Sequence, residues 1–197
     1  MRREEAIEAR RQAIFEAATQ LIRENRSTDF SMPVLAKRAG LSNATTYNII
    51  GSKGTVLYHL LDSCVEELLA IARRNDDRGM SSDQVMRAAE VAIDHFVSDP
   101  DFYRPLMRYL LGATEATTRP SFMLKAHRYW LISLGQSHRS ADADPQSDPV
   151  DMAQIIHILF IGAMNSWIYG DLDSSGMRRA VKHGIALVLR GAAQSST

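Results

Sequence analysis

The sequence predicts an all-α protein of about nine helices. Apolar residues recur at the i, i+3, i+4, i+7 spacing of a helix face almost throughout the chain. Runs of β-branched residues alternating at period two do not recur, and Gly, Pro and Ser/Asp clusters divide the chain into segments of helix length. No internal repeat is visible.

A stripe of Ala13, Ile14, Ala17, Ala18, Leu21 and Ile22 defines the first helix, about Glu4 to Asn25, with Arg10, Arg11, Glu16, Arg23 and Glu24 off it. Arg26 to Asp29 breaks the periodicity. Ser31 caps a short second helix that tolerates Pro33 in its first turn, turns Val34, Leu35 and Ala39 inward, and ends at Gly40. Ser42 caps a third of about two turns, Asn43 to Ile49. Gly51-Ser52 opens a long fourth helix ending near Arg74, with Val56, Leu57, Leu60, Leu61, Val65, Leu68 and Leu69 on its apolar face. The capping-box spacing of Ser81 and Gln84 starts a fifth, running through Val97 and marked by Val85, Ala89, Ala92, Ile93 and Phe96. Ser98-Asp-Pro-Asp101 separates it from a sixth, which Pro105 is expected to kink or shorten, because proline lacks the N–H and crowds the preceding turn. Gly112 to Pro120 reads as a connection, Ser121 to Gln136 as a seventh helix, and the polar stretch Ser137 to Pro149 as a loop. Ile155, Ile156, Leu159, Phe160, Ala163, Met164, Trp167 and Ile168 form a broad stripe on an eighth helix. Beyond Gly170 to Gly176, Val181, Ile185, Val188 and Leu189 form one on a ninth.

The 197 residues, 45% hydrophobic and 23% charged, suit one large or two modest globular domains and exclude a disordered or fibrous chain. No apolar run is expected to reach the roughly 18 uncharged residues of a bilayer span. Met1-Arg-Arg-Glu-Glu leads into no apolar region, so the chain reads as soluble, unexported and without a membrane partner. The single cysteine, Cys64, agrees with a reducing, cytoplasmic location. A net charge of zero argues weakly against nucleic acid. Its distribution matters more: residues 1–61 carry nine Lys or Arg against six Asp or Glu, and residues 62–197 carry 14 against 17. The first segment is the basic one.

No catalytic constellation is present. The six histidines are scattered without metal-ligand spacing, no Gly-rich phosphate loop follows a strand, and Asp99 and Asp101 beside two prolines read as helix capping. The chain is therefore expected not to be an enzyme and to need no cofactor or metal.

Two short helices joined at Gly40, with a cap at Ser42, have the spacing of a helix-turn-helix, whose second helix enters the DNA major groove. An αα-corner with no DNA partner has the same spacing. Residue detail separates them. The stretch Leu35-Ala-Lys-Arg-Ala-Gly-Leu-Ser-Asn-Ala-Thr-Thr-Tyr-Asn-Ile-Ile-Gly-Ser-Lys53 resembles the DNA-binding motif of TetR-family transcriptional regulators. The shared features are the Leu-Ala pair, Ala-Gly-Leu-Ser, a Tyr five residues after that Ser, and Ser-Lys opening the fourth helix. Ala13-Ile-Phe-Glu-Ala-Ala-Thr-Gln-Leu-Ile22 resembles that family's first helix, so the likeness covers roughly residues 10–60. Beyond residue 75 only helicity and length agree.

The chain departs from the family pattern at Arg26 (usually Gly), Ser27 (Tyr), Phe30 (Thr) and Ile49-Ile50 (His-Phe). The resemblance implies that Ile49 forgoes a phosphate contact while Ile50 fills the core slot of Phe. Arg26 is then expected either to take the left-handed conformation at some cost or to let the helix end differently.

The resemblance also divides the chain into a helix-turn-helix domain, 1–54, and a ligand-binding and dimerisation domain, 55–197, with helix four (about 52–74) connecting and transmitting between them. It implies base contacts from Asn43, Ala44 and Thr45: Asn pairs with adenine, and Ala or Thr methyls meet the thymine methyl. Tyr47 and Lys53 match phosphate contacts, with Ser31, Ser42 and Asn48 as further donors to the backbone. Arg2, Arg3, Arg10 and Arg11 either reach phosphates or the minor groove or form a solvated charged face. Lys37 and Arg38 are assigned to solvent.

A single helix-turn-helix reads few base pairs, so a homodimer on a palindromic operator is expected. Its contact is placed on helices eight and nine, at Ile156, Leu159, Phe160, Ala163, Val181, Gly184, Ile185 and Val188, with Ala163, Ala180 and Gly184 allowing close approach. Ordinary core packing is the alternative for each. Phe96, Phe102, Tyr103, Met107, Tyr109, Phe122, Met123, His127, Trp130, Asn165, Trp167 and Tyr169 collect aromatic, Met and polar groups on helices five to eight. In the resembled family those helices enclose an effector pocket, implying a small apolar or aromatic ligand that shifts the dimer off DNA; repression is the commoner mode. The rival reading is a helical adaptor, or a regulator with a protein effector and no pocket.

Overall fold

The computed structural model describes residues 2–74, 82–112, 119–135 and 149–195, with side chains for all of these except 2–3, 119–121 and 193–195. Among the described residues there are nine α-helices and no strand: α1 (Arg2–Asn25), α2 (Met32–Arg38), α3 (Asn43–Ile50), α4 (Lys53–Arg74), α5 (Ser82–Val97), α6 (Pro100–Gly112), α7 (Arg119–Ser133), α8 (Pro149–Tyr169) and α9 (Ser174–Ser195). The expected capping residue Ser81 and most of both expected connections, residues 113–118 and 136–148, lie outside the described residues.

Two compact units form. The first comprises α1–α3, α4 as far as Ser63, and α6. Its core collects Ile14, Ala18 and Ile22 of α1, Leu35 of α2, Ile50 of α3, Val56, Leu57 and Leu61 of α4, and Leu106 and Leu110 of α6. On α2 the buried set is Met32, Leu35 and Ala36, while Val34 faces solvent. The inward position expected for Val34 is thereby corrected: a helix starting at Met32 aligns residues 32, 35, 36 and 39 on one face, and position 34 falls opposite.

α6, expected to help line an effector pocket, packs on α1 within this first unit. Arg23 Nε lies 2.6 Å from Asp99 Oδ2, its guanidinium carbon 5.4 Å from the Phe102 ring centre, and Arg26 Nε 3.0 Å from Asp101 Oδ1. α6 also runs unbroken through Pro105 as far as Gly112, so the proline does not shorten it. Pro105 lies in the second turn, so it removes a single bond, to the Asp101 carbonyl, and buries its ring. Arg26 takes the left-handed conformation, φ 49°, as the family's glycine at that position implies.

The second unit holds α4 from Cys64 onward with α5, α7, α8 and α9. α8 packs on α7 and α9, and α5 packs on the same two helices. Asp173 starts α9: its carboxylate accepts from Gly176 N at 2.6 Å and Ser175 Oγ at 2.8 Å, which holds its pKa below the ordinary aspartate value. One further expectation needs correction. Within Pro149–Tyr169 an 18-residue window has mean hydropathy 1.3, so α8 is long and apolar enough to cross a bilayer by length and composition. Met152, Ala153, Ile156, Phe160, Met164 and Trp167 are buried within the protein, the pattern of a core helix.

Candidate nucleic-acid interface and effector region

α2 ends in a Schellman turn: Leu41 N donates to Ala36 O at 2.9 Å and Gly40 N to Lys37 O at 3.2 Å, with Gly40 at φ 69°. Only a residue free of Cβ takes that conformation without strain, so Gly40 sets the turn between α2 and α3. Ser31 Oγ accepts from Val34 N at 3.4 Å to start α2, and Ser42 Oγ accepts from Thr45 N at 3.1 Å to start α3.

α3 is amphipathic over its two turns. Thr46 and Ile50, four residues apart, are buried, and the Thr46 hydroxyl satisfies its burial by donating to Ser42 O at 3.1 Å. Ser42, Asn43, Ala44, Tyr47 and Asn48 face out, and Tyr47 is 46% exposed. Thr45 is half-buried and shares a 2.8 Å hydrogen bond with Ser42 Oγ, so both hydroxyls serve the cap. Ile50 is buried as expected, and Ile49 is half-exposed.

Lys53, the first residue of α4, places its Nζ 5.4 Å from the ring centre of buried Phe30, where the resembled family has Thr. Arg38 makes two 2.7 Å contacts to the Glu24 carboxylate, which hold the Glu24 pKa below its usual value. That pair spans α1 and α2. Arg10 is exposed, Arg11 lies 3.6 Å from Glu8, and the Arg3 side chain lies outside the described ones.

The eight residues expected at a dimer contact divide. Ile156, Phe160, Val181 and Ile185 are sealed inside the protein's own second unit, and Phe160 stands 5.3 Å from Trp130 and 6.2 Å from Phe96 between ring centres. A second copy cannot reach these four, so their assignment to the interface is corrected to core. Leu159, Ala163, Gly184 and Val188 are half-exposed. Gly184 serves packing within the chain, since a Cβ there would collide with the Leu159 side chain. The outward apolar residues are instead Ile155 (52% exposed), Ile158 (62%) and Leu187.

The expected effector residues also disperse. Phe102, Tyr103 and Met107 are buried in the first unit. In the second, Phe96, Phe122, Trp130 and Trp167 are buried, with Trp167 Nε1 donating to Ser174 Oγ at 3.2 Å, and Met123 and His127 are half-exposed. Asn165 and Tyr169 face solvent, so a role for them inside a pocket is corrected. The cavity the structure describes, about 850 Å³, lies elsewhere in the second unit, against the ends of α4 and α7 and the sides of α5 and α9.

No family model matches the sequence, and no curated protein does. Solved structures match across most of the chain. A TetR transcriptional regulator from Rhodococcus sp. RHA1 is 18% identical with TM-score 0.71, over 92% of this chain and 96% of that one. FadR from Thermus thermophilus, a TetR-family transcriptional repressor in complex with lauroyl-CoA, is 18% identical with TM-score 0.72, over 92% and 94%. PfmR, a TetR-family transcriptional regulator also from Thermus thermophilus, is 19% identical with TM-score 0.60, over 90% and 97%. The chain has the fold of the TetR-family transcriptional regulators.

Within that TetR fold, sequence reasoning missed His157 and the residues of the described cavity. His157, on α8, is buried with neither ring nitrogen hydrogen-bonded. Its ring centre is 6.4 Å from that of His127 on α7, and burial, aided by that neighbour, pushes its pKa down to about 4. Its spacing three residues before Phe160 and one after Ile156 marks it as inward, a signal available in the sequence. Nothing in the sequence signalled the cavity, because its lining comes from four separate helices.

Proposed function

We propose that this chain is a cytoplasmic transcriptional regulator that binds a palindromic operator as a homodimer and is released by a small-molecule effector, acting as a repressor. The observation that carries this reading is the outward polar face of α3, seated by Thr46 and Ile50 and opening with Asn43, Ala44 and Tyr47 exposed. Asn43, Ala44 and Thr45 are assigned to base edges, and Tyr47, Lys53, Asn48, Ser31 and Ser42 to phosphates, with Arg10 and Arg3 as arm contacts. The dimer contact is assigned to the outer apolar face of α8 and α9 around Ile155, Ile158 and Leu187, with Leu159, Ala163, Gly184 and Val188 at its margin. FadR's complex with lauroyl-CoA supports an effector role for a small molecule on this fold.

Selection of bound sequences from random DNA, followed by titration at several salt concentrations, tests the reading. A palindrome bound with steep salt dependence is expected. Tyr47→Ala and Lys53→Ala should weaken all sequences alike, Lys53→Ala lowering the salt slope by about one, and Asn43→Ala should relax preference at one position of each half-site. Absence of any sequence preference would refute it. Light scattering after size exclusion tests the dimer: a stable monomer at micromolar concentration removes it. The packed state of the aromatic cluster favours, as second reading, an adaptor or a regulator with a protein effector. A thermal-shift screen with metabolites separates the two.

A further inference from the structure

The cavity of about 850 Å³ has the size of a small-molecule site and a lining unlike the apolar, aromatic one expected from the sequence. On α5, residues 84, 87, 88 and 91 share a helix face, so Gln84, Arg87 and Val91 are presented together. Ile71 from α4 and Met86 from α5 extend the apolar wall.

Several polar groups here already have partners. The Tyr129 hydroxyl donates to Ala88 O and the Ser133 hydroxyl to Tyr129 O, each at 2.7 Å, and Lys182 lies 2.7 Å from Glu90. Glu90 is further neutralised by Arg178, and Asp83 sits in the first turn of α5, where the helix dipole favours a negative charge. Three polar groups remain. Gln84 is only 7% exposed as a residue and presents its amide at the cavity wall. Arg74 and Arg87 are exposed at the cavity's edge and have no carboxylate partner among the described residues; Arg74 Nε donates to Ala70 O at 3.1 Å, and its two terminal nitrogens have no partner among those residues.

We propose that this cleft binds an anionic amphiphile, its oxyanion held by Arg74 and Arg87, its adjoining polar group hydrogen-bonded by Gln84, and its apolar chain or ring laid along Ile71, Met86 and Val91. Carboxylate and phosphate share this chemistry, and the planar guanidinium pairs bidentately with either. Binding at the cleft stands independently of the regulator reading; only the consequence for DNA affinity rests on it.

Titration calorimetry on the full chain tests the site with decyl phosphate and decanoate below their micelle concentrations, and with decanol and inorganic phosphate as controls. One saturable site per chain is expected for at least one of the two anions, with both controls at least about tenfold weaker. Arg74→Gln combined with Arg87→Gln should weaken the anion about tenfold or more while leaving decanol unchanged, since each charge-assisted bond lost is substantial. Gln84→Leu should weaken it without altering the dependence on salt. Undiminished binding to the double variant, or decanol binding as well as the anions, overturns the proposal. So does the lack of saturable binding by either anion. Operator affinity is measured on the same samples: loss of DNA binding in all proteins refutes the regulator reading alone, and the calorimetry still decides the cleft.

Discussion

Lowering the pH should expose the cost of burying His157. Its folded pKa is about 4, while the unfolded chain keeps the ordinary histidine value of 6.5. Above 6.5 both states are neutral at this site and stability is independent of it. Between 6.5 and 4 only the unfolded chain takes up the proton, so unfolding becomes easier as pH falls, and below 4 the effect levels off. The gap corresponds to about 3 kcal/mol at most, and to about 2 kcal/mol once some relaxation and water entry on protonation are allowed. Urea unfolding of wild type and His157→Leu at a fixed protein concentration, from pH 7 to pH 4, measures it. Burial also lowers His59 and His95, and both remain in the variant, so their contributions cancel in the difference. The variant should lose about 2 kcal/mol less than wild type over this range. At pH 7 it should be no less stable by more than about 1 kcal/mol, because the two unbonded ring nitrogens are replaced by apolar surface. Parallel curves for the two proteins would refute the assignment of a buried, neutral imidazole.

Three further substitutions probe the local geometry. Gly184→Ala should shift stability by no more than about 1 kcal/mol in thermal unfolding, since its Cβ meets only the outer end of half-exposed Leu159, which can turn aside, and alanine gains about 1 kcal/mol of helix propensity; a loss above about 2 kcal/mol would show that Leu159 is locked in place. Thr46→Val should lower stability by about 1 kcal/mol through loss of the bond to Ser42 O, and a gain would show that this bond does not seat α3. Arg26→Gly should stabilise by about 0.5–1 kcal/mol, because relief at φ 49° outweighs an exposed ion pair to Asp101, and a loss above 1 kcal/mol would mean that the pair, not the backbone, dominates.

The first three helices and their turn are legible in the sequence because each boundary has a local cause. Ser31 and Ser42 supply acceptors for orphan N–H groups, Gly40 supplies a left-handed turn, and the buried stripe of α1 repeats at helical spacing. Thr46 is the instructive residue on α3: its hydroxyl finds the Ser42 carbonyl four residues back, so a polar side chain can anchor the helix and leave Asn43 and Tyr47 outside. The register of α2 is not legible at Val34, because a seven-residue helix offers too few turns to fix its phase.

Partner choice between distant elements has no such local cause. An apolar stripe states that a surface is covered, not what covers it. On α8 the stripe is wider than one neighbour can cover: Ile156 and Phe160 are buried inside the unit, Phe160 beside Trp130 of α7 and Phe96 of α5, while 155 and 158, at least about 100° away around the helix, stay in solvent. Hydrophobicity ranks Ile155 and Ile156 equally, so the sequence alone could not assign one to a partner copy and the other to the core. α6 shows the same limit for charge. Asp99 and Asp101 read locally as caps, and Asp99 does accept from Phe102 N, yet they also meet Arg23 in the last turn of α1 and Arg26 just beyond its end. Exposed ion pairs contribute little energy, so the buried face of Phe102, Leu106 and Leu110 is what holds α6 on α1, and the charges select its register.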